Sequence, residues 1–261
     1  MPEGDTVFLA ATRLRRALAG QVLTRTDFRV PRFATADLAG RTVDDVVSRG
    51  KHLLFRIGGG VTLLTHFKMA GSWHLYRPGE RWRGPDWQVR VLLETTPWIA
   101  VGFRLAVVEL VETARELRVL GDLGPDPLGE EWDAAEALRR LLAQPDRPIG
   151  EALLDQRVMA GPGNVWRNEL CFLRGLDPWM PVSRVPQPER LIALVHALFA
   201  ANRTTGSQVT TGDLRPGRTR WVYERGGQPC RRCGSPIRMR GPRGPERVTY
   251  WCPRCQPGST P

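Results

Sequence analysis

Cys230-Arg231-Arg232-Cys233 and Cys252-Pro253-Arg254-Cys255 stand eighteen residues apart near the end of a 261-residue chain. Two such knuckles present two thiolates each to one tetrahedral ion, and this spacing reads as a Zn2+ site. The segment around them is too small to bury a core, so metal binding would supply its folding free energy. Four thiolates leave no open position, which makes the ion structural rather than catalytic. Eight arginines lie between Arg225 and Arg254, so the unit reads as a hairpin that carries cations. A redox dithiol pair is the alternative, although no thioredoxin-like βαβ pattern surrounds either knuckle. The fifth cysteine, Cys171, lies in the apolar run Leu170-Cys171-Phe172-Leu173 and reads as a core thiol.

Upstream of the knuckles the periodicity is helical. Ala160-Gly161-Pro162-Gly163-Asn164-Val165 leads into a helix predicted over residues 165–174. Glycine permits a tight left-handed turn there, and Asn164 is placed to cap the helix. Free N–H groups at such a helix start attract anions, so phosphate is a candidate ligand; a plain connection between helices is the alternative. Further helices are predicted at residues 132–143, 149–158 and 189–201. Residues 202–220 are polar and read as a mobile loop, and residues 256–261 as a disordered end. Gly121-Asp122-Leu123-Gly124-Pro125-Asp126-Pro127 is dense in turn formers and marks a linker.

Before the linker the period changes. Asp5 is placed to cap a helix in which Val7, Ala11, Leu14 and Leu18 recur at helical spacing, stopped by Gly20. Strand-like runs follow at residues 22–30, 42–49, 52–57, 61–67, 73–76, 87–94, 98–103 and 105–111, and Gly58-Gly59-Gly60 reads as a hairpin turn. A leading helix followed by short strands predicts an antiparallel β-sandwich. The expected architecture is α+β and multidomain: a sandwich over residues 1–121, a linker over 122–131, a helical domain over 132–220 and a zinc finger over 221–256.

Lys plus Arg is 38 against 27 Asp plus Glu, a formal charge of +11. All but two of those cations are Arg; the lysines are Lys51 and Lys68. Arg cannot replace Lys where a compact or titratable amine is required, so both are candidates for function, with chance survival as the alternative. Residues 1–104 carry 16 cations and 9 anions, residues 105–155 carry 5 and 12, and residues 201–261 carry 12 and 3. Two basic ends flanking an acidic stretch read as surfaces for one polyanion, nucleic acid, against the alternative of a basic surface kept for solubility. A composition 41% hydrophobic and 25% charged excludes wholesale disorder. The start, Met1-Pro2-Glu3-Gly4-Asp5, does not read as a secretory signal, and the apolar run at residues 98–111 is broken by Arg104 and too short to span a bilayer. A cytosolic protein is expected, where cysteines serve more often as ligands than as disulfides.

Four motifs resemble, in order, those of the formamidopyrimidine-DNA glycosylase/endonuclease VIII family. They are Met1-Pro2-Glu3-Gly4 opening a helix, Arg49-Gly50-Lys51-His52-Leu53-Leu54-Phe55, Gly161-Pro162-Gly163-Asn164-Val165, and the four-cysteine finger with Arg247-Val248-Thr249-Tyr250-Trp251-Cys252. They cover almost the whole chain. The start through Asp5-Thr6, with Ala152-Leu153-Leu154-Asp155-Gln156-Arg157, is similar to the actinobacterial endonuclease VIII branch. The resemblance implies an N-terminal β-sandwich with a leading helix, and a helix-two-turns-helix domain with a four-cysteine zinc finger holding one Zn2+ on Cys230, Cys233, Cys252 and Cys255. It implies a bifunctional DNA glycosylase and apurinic/apyrimidinic lyase of base excision repair. The partner would be double-stranded DNA with an oxidised base or an abasic site. A monomer with no membrane association is expected.

The resemblance also assigns roles. Pro2, exposed when Met1 is removed, would be the Schiff-base nucleophile, and Glu3 the proton donor to the sugar. Lys51 would donate a proton in β-elimination, and Arg247 would grip phosphate and serve δ-elimination. Asn164 would bind phosphate. Thr65-His66-Phe67-Lys68-Met69-Ala70-Gly71-Ser72-Trp73 is similar to the family's wedge loop, with Met69 entering the stack and Lys68 contacting DNA. Two positions depart from the pattern: Ala70 replaces a bulky Tyr, and Asp122 stands where the family has an Arg. Residues 206–220 form a shorter segment than the lesion-capping loop of 8-oxoguanine enzymes, which leans towards oxidised pyrimidines. A non-catalytic zinc-dependent damaged-DNA-binding protein and a purine-lesion glycosylase of the same family are the alternatives.

Overall fold

The computed structural model describes residues 2–241 and 247–258. The chain divides between Gly121 and Asp122 into two compact units.

The first unit opens with helix α1 (Gly4–Leu18), whose buried face is Val7, Ala11, Leu14, Ala17 and Leu18. Its cap is Glu3, in extended backbone, whose carbonyl accepts the Val7 N–H at 3.0 Å. Asp5, expected at the cap, instead lies buried inside the first turn, where its charge faces the positive end of the helix. Eight strands follow: β1 (Arg25–Phe28), β2 (Val43–Arg49), β3 (His52–Ile57), β4 (Val61–His66), β5 (Ser72–Tyr76), β6 (Val89–Glu94), β7 (Ile99–Phe103) and β8 (Val107–Glu112). They form two antiparallel four-stranded sheets, ordered β2-β3-β4-β8 and β1-β6-β7-β5. Leu53, Phe55, Leu63, Val91, Leu93 and Ala100 fill the core that the sheets share with α1. Each fully buried large apolar side chain contributes about 1.5–3 kcal/mol. The Trp73 indole N–H donates to the buried Thr65 hydroxyl at 3.2 Å and ties one sheet to the other. The strand expected over residues 22–30 shrinks to β1, and Val22 makes only an isolated bridge to Thr42. A short helix α2 (Glu116–Leu120) closes the unit, with the Glu116 carboxylate held by Arg56 at 2.9 Å.

The second unit contains α3 (Ala134–Leu142), α4 (Ile149–Ala152), α5 (Asn164–Arg174), α6 (Pro188–Asn202) and the antiparallel pair β9 (Arg238–Arg240) and β10 (Thr249–Trp251). Trp166, Leu170, Leu191, Val195 and Phe199 lead its core. The helix expected over residues 149–158 stops at Ala152, because side chains there compete for the backbone. Asp155 accepts the Arg157 N–H at 2.9 Å, and the Gln156 amide donates to the carbonyls of Leu154 and Pro162. The turn-rich stretch after Gly121 is built into this unit: Gly124 N–H donates to Gln156 C=O at 2.8 Å, and Pro125 C=O accepts the Ala160 N–H at 3.0 Å. Residues 202–220, read as a mobile loop, are anchored. Asn202 exchanges hydrogen bonds with Val209 through both ends of its amide, and Thr210 N–H donates to Thr219 C=O at 2.8 Å. Gln256 is no disordered end either: it is buried, accepts the Cys252 N–H at 2.9 Å and donates to Leu176 C=O at 2.8 Å. Met1, whose removal is expected, lies outside the described residues, as do residues 242–246 of the finger and residues 259–261 of the tail.

Candidate active site and metal centre

Helix α1 and strand β2 position the N-terminal residues. Gly20 N–H donates to Val43 C=O at 2.8 Å, and Arg15 pairs with Asp45 at 2.6 Å. The helix has 15 residues and the strand seven, lengths of about 22 and about 23 Å. The two therefore run antiparallel, and Pro2 and Glu3 arrive where β2 turns into β3. That turn is Gly50-Lys51, with Arg49 paired to His52 and Gly50 at φ 57. Glu3 is fully buried, and Pro2 and Lys51 are half-buried.

The neighbouring hairpin ends at the same edge, because His52 pairs with His66 across β3 and β4. The two rings meet edge to face with centroids 4.9 Å apart. Burial pushes the His66 imidazole down to about 3, and the charges of His52, Lys68 and Lys51 add to the effect. Burial also lowers His52, again with the charges of Lys68 and Lys51. Both lysines thus stand close enough to be felt by one pair of neutral imidazoles. Lys68 and Met69 follow in an exposed loop, with Lys68 at φ 50 and Met69 70% exposed. The structure gathers Pro2, Glu3, Lys51, Lys68 and Met69 at one end of the first unit.

In the second unit Asn164 is not the cap. Gly163 occupies that position, and Asn164 is the first helical residue, buried. Its amide donates to Val248 C=O at 3.1 Å. Arg167 donates to the same carbonyl at 2.9 Å, and Asn168 accepts the Tyr250 N–H at 2.6 Å. The first turns of α5 are thereby stitched to the finger strand, and Asn164 is brought beside the backbone at Arg247, which is itself exposed. One turn on, the buried Glu169 carboxylate accepts the N–H groups of Trp221, Val222 and Tyr223, each at 2.8 Å, and the Thr210 hydroxyl. Sequence reasoning missed Arg167, Asn168 and Glu169. Their signal was a polar cluster inside an otherwise apolar helical run.

The four finger cysteines converge. Their Sγ atoms all lie within 4.8 Å of one another, with Cys230 to Cys255 at 3.9 Å and Cys233 to Cys252 at 3.4 Å. A tetrahedral ion with bonds of about 2.3 Å needs sulfurs about 3.8 Å apart, so the set fits one metal ion. Burial and the adjacent thiols push Cys255 up to about 12, whereas hydrogen bonds from Ser235 bring Cys233 down to about 6. Four sulfurs this close cannot all ionise without a cation between them. Phe172, Val222 and Ile237 form the apolar floor. Cys171 stands apart, fully buried, with its thiol pushed up to about 12 by desolvation.

Residues 1–108 match the formamidopyrimidine-DNA glycosylase N-terminal domain, and residues 123–205 match the formamidopyrimidine-DNA glycosylase H2TH domain. The chain belongs to the formamidopyrimidine-DNA glycosylase/endonuclease VIII family. Among its relatives is the probable endonuclease 8 2 of Streptomyces coelicolor, 54% identical over 100% of this chain and 96% of that one. Another is the DNA-(apurinic or apyrimidinic site) lyase Nei2 of Mycolicibacterium smegmatis, 48% identical over 99% and 100% of the two chains. Among solved structures, the Lactococcus lactis formamidopyrimidine-DNA glycosylase, crystallised with DNA containing a benzyl-substituted formamidopyrimidine, superposes with a TM-score of 0.83. It shares 23% identity and covers 98% of this chain and 100% of its own, a likeness of fold. Among the described residues no helix is long and apolar enough to cross a membrane.

Proposed function

We propose that this chain is an endonuclease VIII-type DNA glycosylase and apurinic/apyrimidinic lyase that removes oxidised pyrimidines from double-stranded DNA. The observation that carries the reading is the antiparallel run of α1 along β2, which delivers Pro2 and Glu3 to the Gly50-Lys51 turn. Once Met1 is removed, Pro2 offers a secondary amine. An α-amine titrates near 8, against about 10.4 for an ordinary lysine, and a helix start holds positive potential that favours the neutral form. The amine attacks the sugar C1′ as the base departs with its bonding pair. The nitrogen then gives up its proton, and the pair so freed forms the C1′ iminium as the C1′–O4′ bond breaks with its electrons going to the ring oxygen, which takes a proton. A secondary amine has no second proton to lose, so the cation persists and draws electrons from C2′ once that carbon gives up its proton. The 3′ phosphate leaves first and the 5′ phosphate second, which splits one difficult cleavage into easier steps.

Glu3 protonates the ring oxygen during opening, and Lys51 supplies the proton for the first elimination. Arg247 and Asn164 hold phosphate, with Arg247 serving the second elimination through its planar fork. Met69 fills the space left when the base leaves the stack, and Lys68 contacts the strand beside it. Cys230, Cys233, Cys252 and Cys255 would hold one structural Zn2+, which would steady the strand Thr249–Trp251 that follows Arg247. The relatives' names, endonuclease 8 and apurinic/apyrimidinic lyase, support the reaction class.

Borohydride trapping tests the reading. The mature chain should form a covalent complex with duplex DNA carrying thymine glycol, and Pro2→Gly or a retained Met1 should abolish or greatly weaken it. No trapping on either abasic or oxidised-pyrimidine DNA would overturn the enzyme. Trapping on 8-oxoguanine paired with cytosine, but not on thymine glycol, would reassign the lesion class.

A further inference from the structure

The loop between β5 and β6 carries Arg77, Glu80, Arg81, Trp82, Arg83, Asp86 and Trp87, and takes no part in the chemistry above. It is pinned in place. Arg83 N–H donates to the Tyr76 hydroxyl at 3.0 Å, and Trp82 packs edge-on to Phe103 at 6.5 Å. Gly84 fits so closely that an added Cβ would lie 3.0 Å from the Phe103 ring. The loop's carboxylates are occupied: Glu80 accepts the Arg77 N–H at 2.8 Å, and Asp86 is held by Arg29 at 2.8 Å. Arg81 and Arg83 are exposed, and the Trp87 indole is 73% exposed.

The register of the sheet fixes where this loop emerges. Phe103 faces Ser72 on one side and Val89 on the other. Residues 67–71 end where Ser72 begins, and the arginine-tryptophan loop, which leaves the sheet at Tyr76, re-enters it at Val89, so the Trp87 end of the loop and residues 67–71 lie at one end of the sheet. Arg104 ties them together. Its N–H donates to Gln88 C=O at 2.8 Å, and its carbonyl lies 3.2 Å from the Cβ position of Gly71. Met69 and Trp87 are therefore two exposed apolar side chains at one end of one sheet. An aromatic face flanked by arginines stacks a nucleobase and neutralises the phosphates beside it.

We propose that residues 77–88 form a second nucleic-acid subsite, in which Trp87 stacks on an unpaired nucleobase near the lesion and Arg81 and Arg83 contact the adjoining phosphates. This rests on the damaged-DNA reading above and adds to it a preference for substrates that offer an unpaired base.

Three labelled substrates test it with the full chain, each with a tetrahydrofuran abasic analogue. In the first a second analogue stands opposite, so no base is unpaired. In the second a thymine stands opposite. In the third the analogue lies in a bubble of thymines. Trp87→Ala should weaken binding to the second or third at least about fivefold more than to the first, and Trp87→Phe should recover most of the loss. Loss on the second and third alike identifies the orphaned opposite base; loss on the third alone identifies a flanking single strand. Equal loss on all three, or none, overturns the subsite. A wild-type chain that binds none of them overturns the damaged-DNA reading itself.

Discussion

His66 accepts the main-chain N–H of Lys68 on its Nδ1 at 2.9 Å, which leaves the ring proton on Nε2. The loop that presents Lys68 and Met69 therefore hangs on a neutral imidazole. Unfolded histidine titrates near 6.5, and the folded His66 only near 3, so between these values the unfolded chain binds the extra proton. Stability is complete above pH 6.5 and falls as the pH drops towards 3. Urea midpoints read by tryptophan fluorescence should decrease steadily from pH 6.5 to 4.5, and His66→Asn should flatten that slope. A midpoint independent of pH over this window contradicts the neutral pair.

Glu169 satisfies three main-chain donors at once, the buried Val222 N–H and the part-buried N–H groups of Trp221 and Tyr223, so its removal strands all three. Each unsatisfied buried donor costs about 1–3 kcal/mol, which puts Glu169→Ala at roughly 3 kcal/mol or more. Glu169→Gln keeps the acceptor and should cost less. Chemical denaturation of the two variants checks the order.

The finger should carry one equivalent of Zn2+ per chain by elemental analysis. Cys252→Ser should lose it and weaken DNA binding, because the strand that ends at Trp251 carries the Tyr250 N–H bonded to α5 and directly follows Val248, whose carbonyl is bonded to α5 as well. Full affinity in the zinc-free variant would contradict a role for the finger.

Met69 is largely solvent-exposed, so Met69→Ala should move the thermal midpoint little, within about 0.5 kcal/mol. Excision of thymine glycol from duplex DNA should nevertheless fall at least tenfold, with cleavage at a preformed abasic site falling less. Parallel assays on the two substrates separate wedge from scaffold.

Binding should depend steeply on salt. Neutralising roughly six to eight phosphates predicts a fall of about five to seven decades of affinity per decade of salt. A flat titration would remove phosphate contact as the source of affinity.

The parts of this protein that were legible in its sequence are those in which a few adjacent residues suffice. Two CxxC knuckles announce their ligands, and Arg49-Gly50-Lys51-His52 spells a tight hairpin whose glycine takes φ 57. The antiparallel sandwich followed from alternating short runs. What stayed hidden depends on partners far along the chain. Glu169 reaches residues more than 50 positions away, and His52 meets His66 only because the hairpin pairs them in register. The premature end of α4 was hidden for a different reason. Asp155 and Gln156 are acceptable in a helix, and only their bonds to Arg157, Leu154 and Pro162 turn the chain aside.

Lys68 is one of four described residues other than glycine with positive φ, and Arg104, joined to the same sheet end, is another. A side chain with a Cβ holds that left-handed conformation at a cost of about 1 kcal/mol. The tip bearing Met69 is thus cocked by its own backbone rather than slack. A glycine at position 68 would relax the turn, and the same change would delete one of the chain's two lysines. Robustness and reach pull in opposite directions at that position.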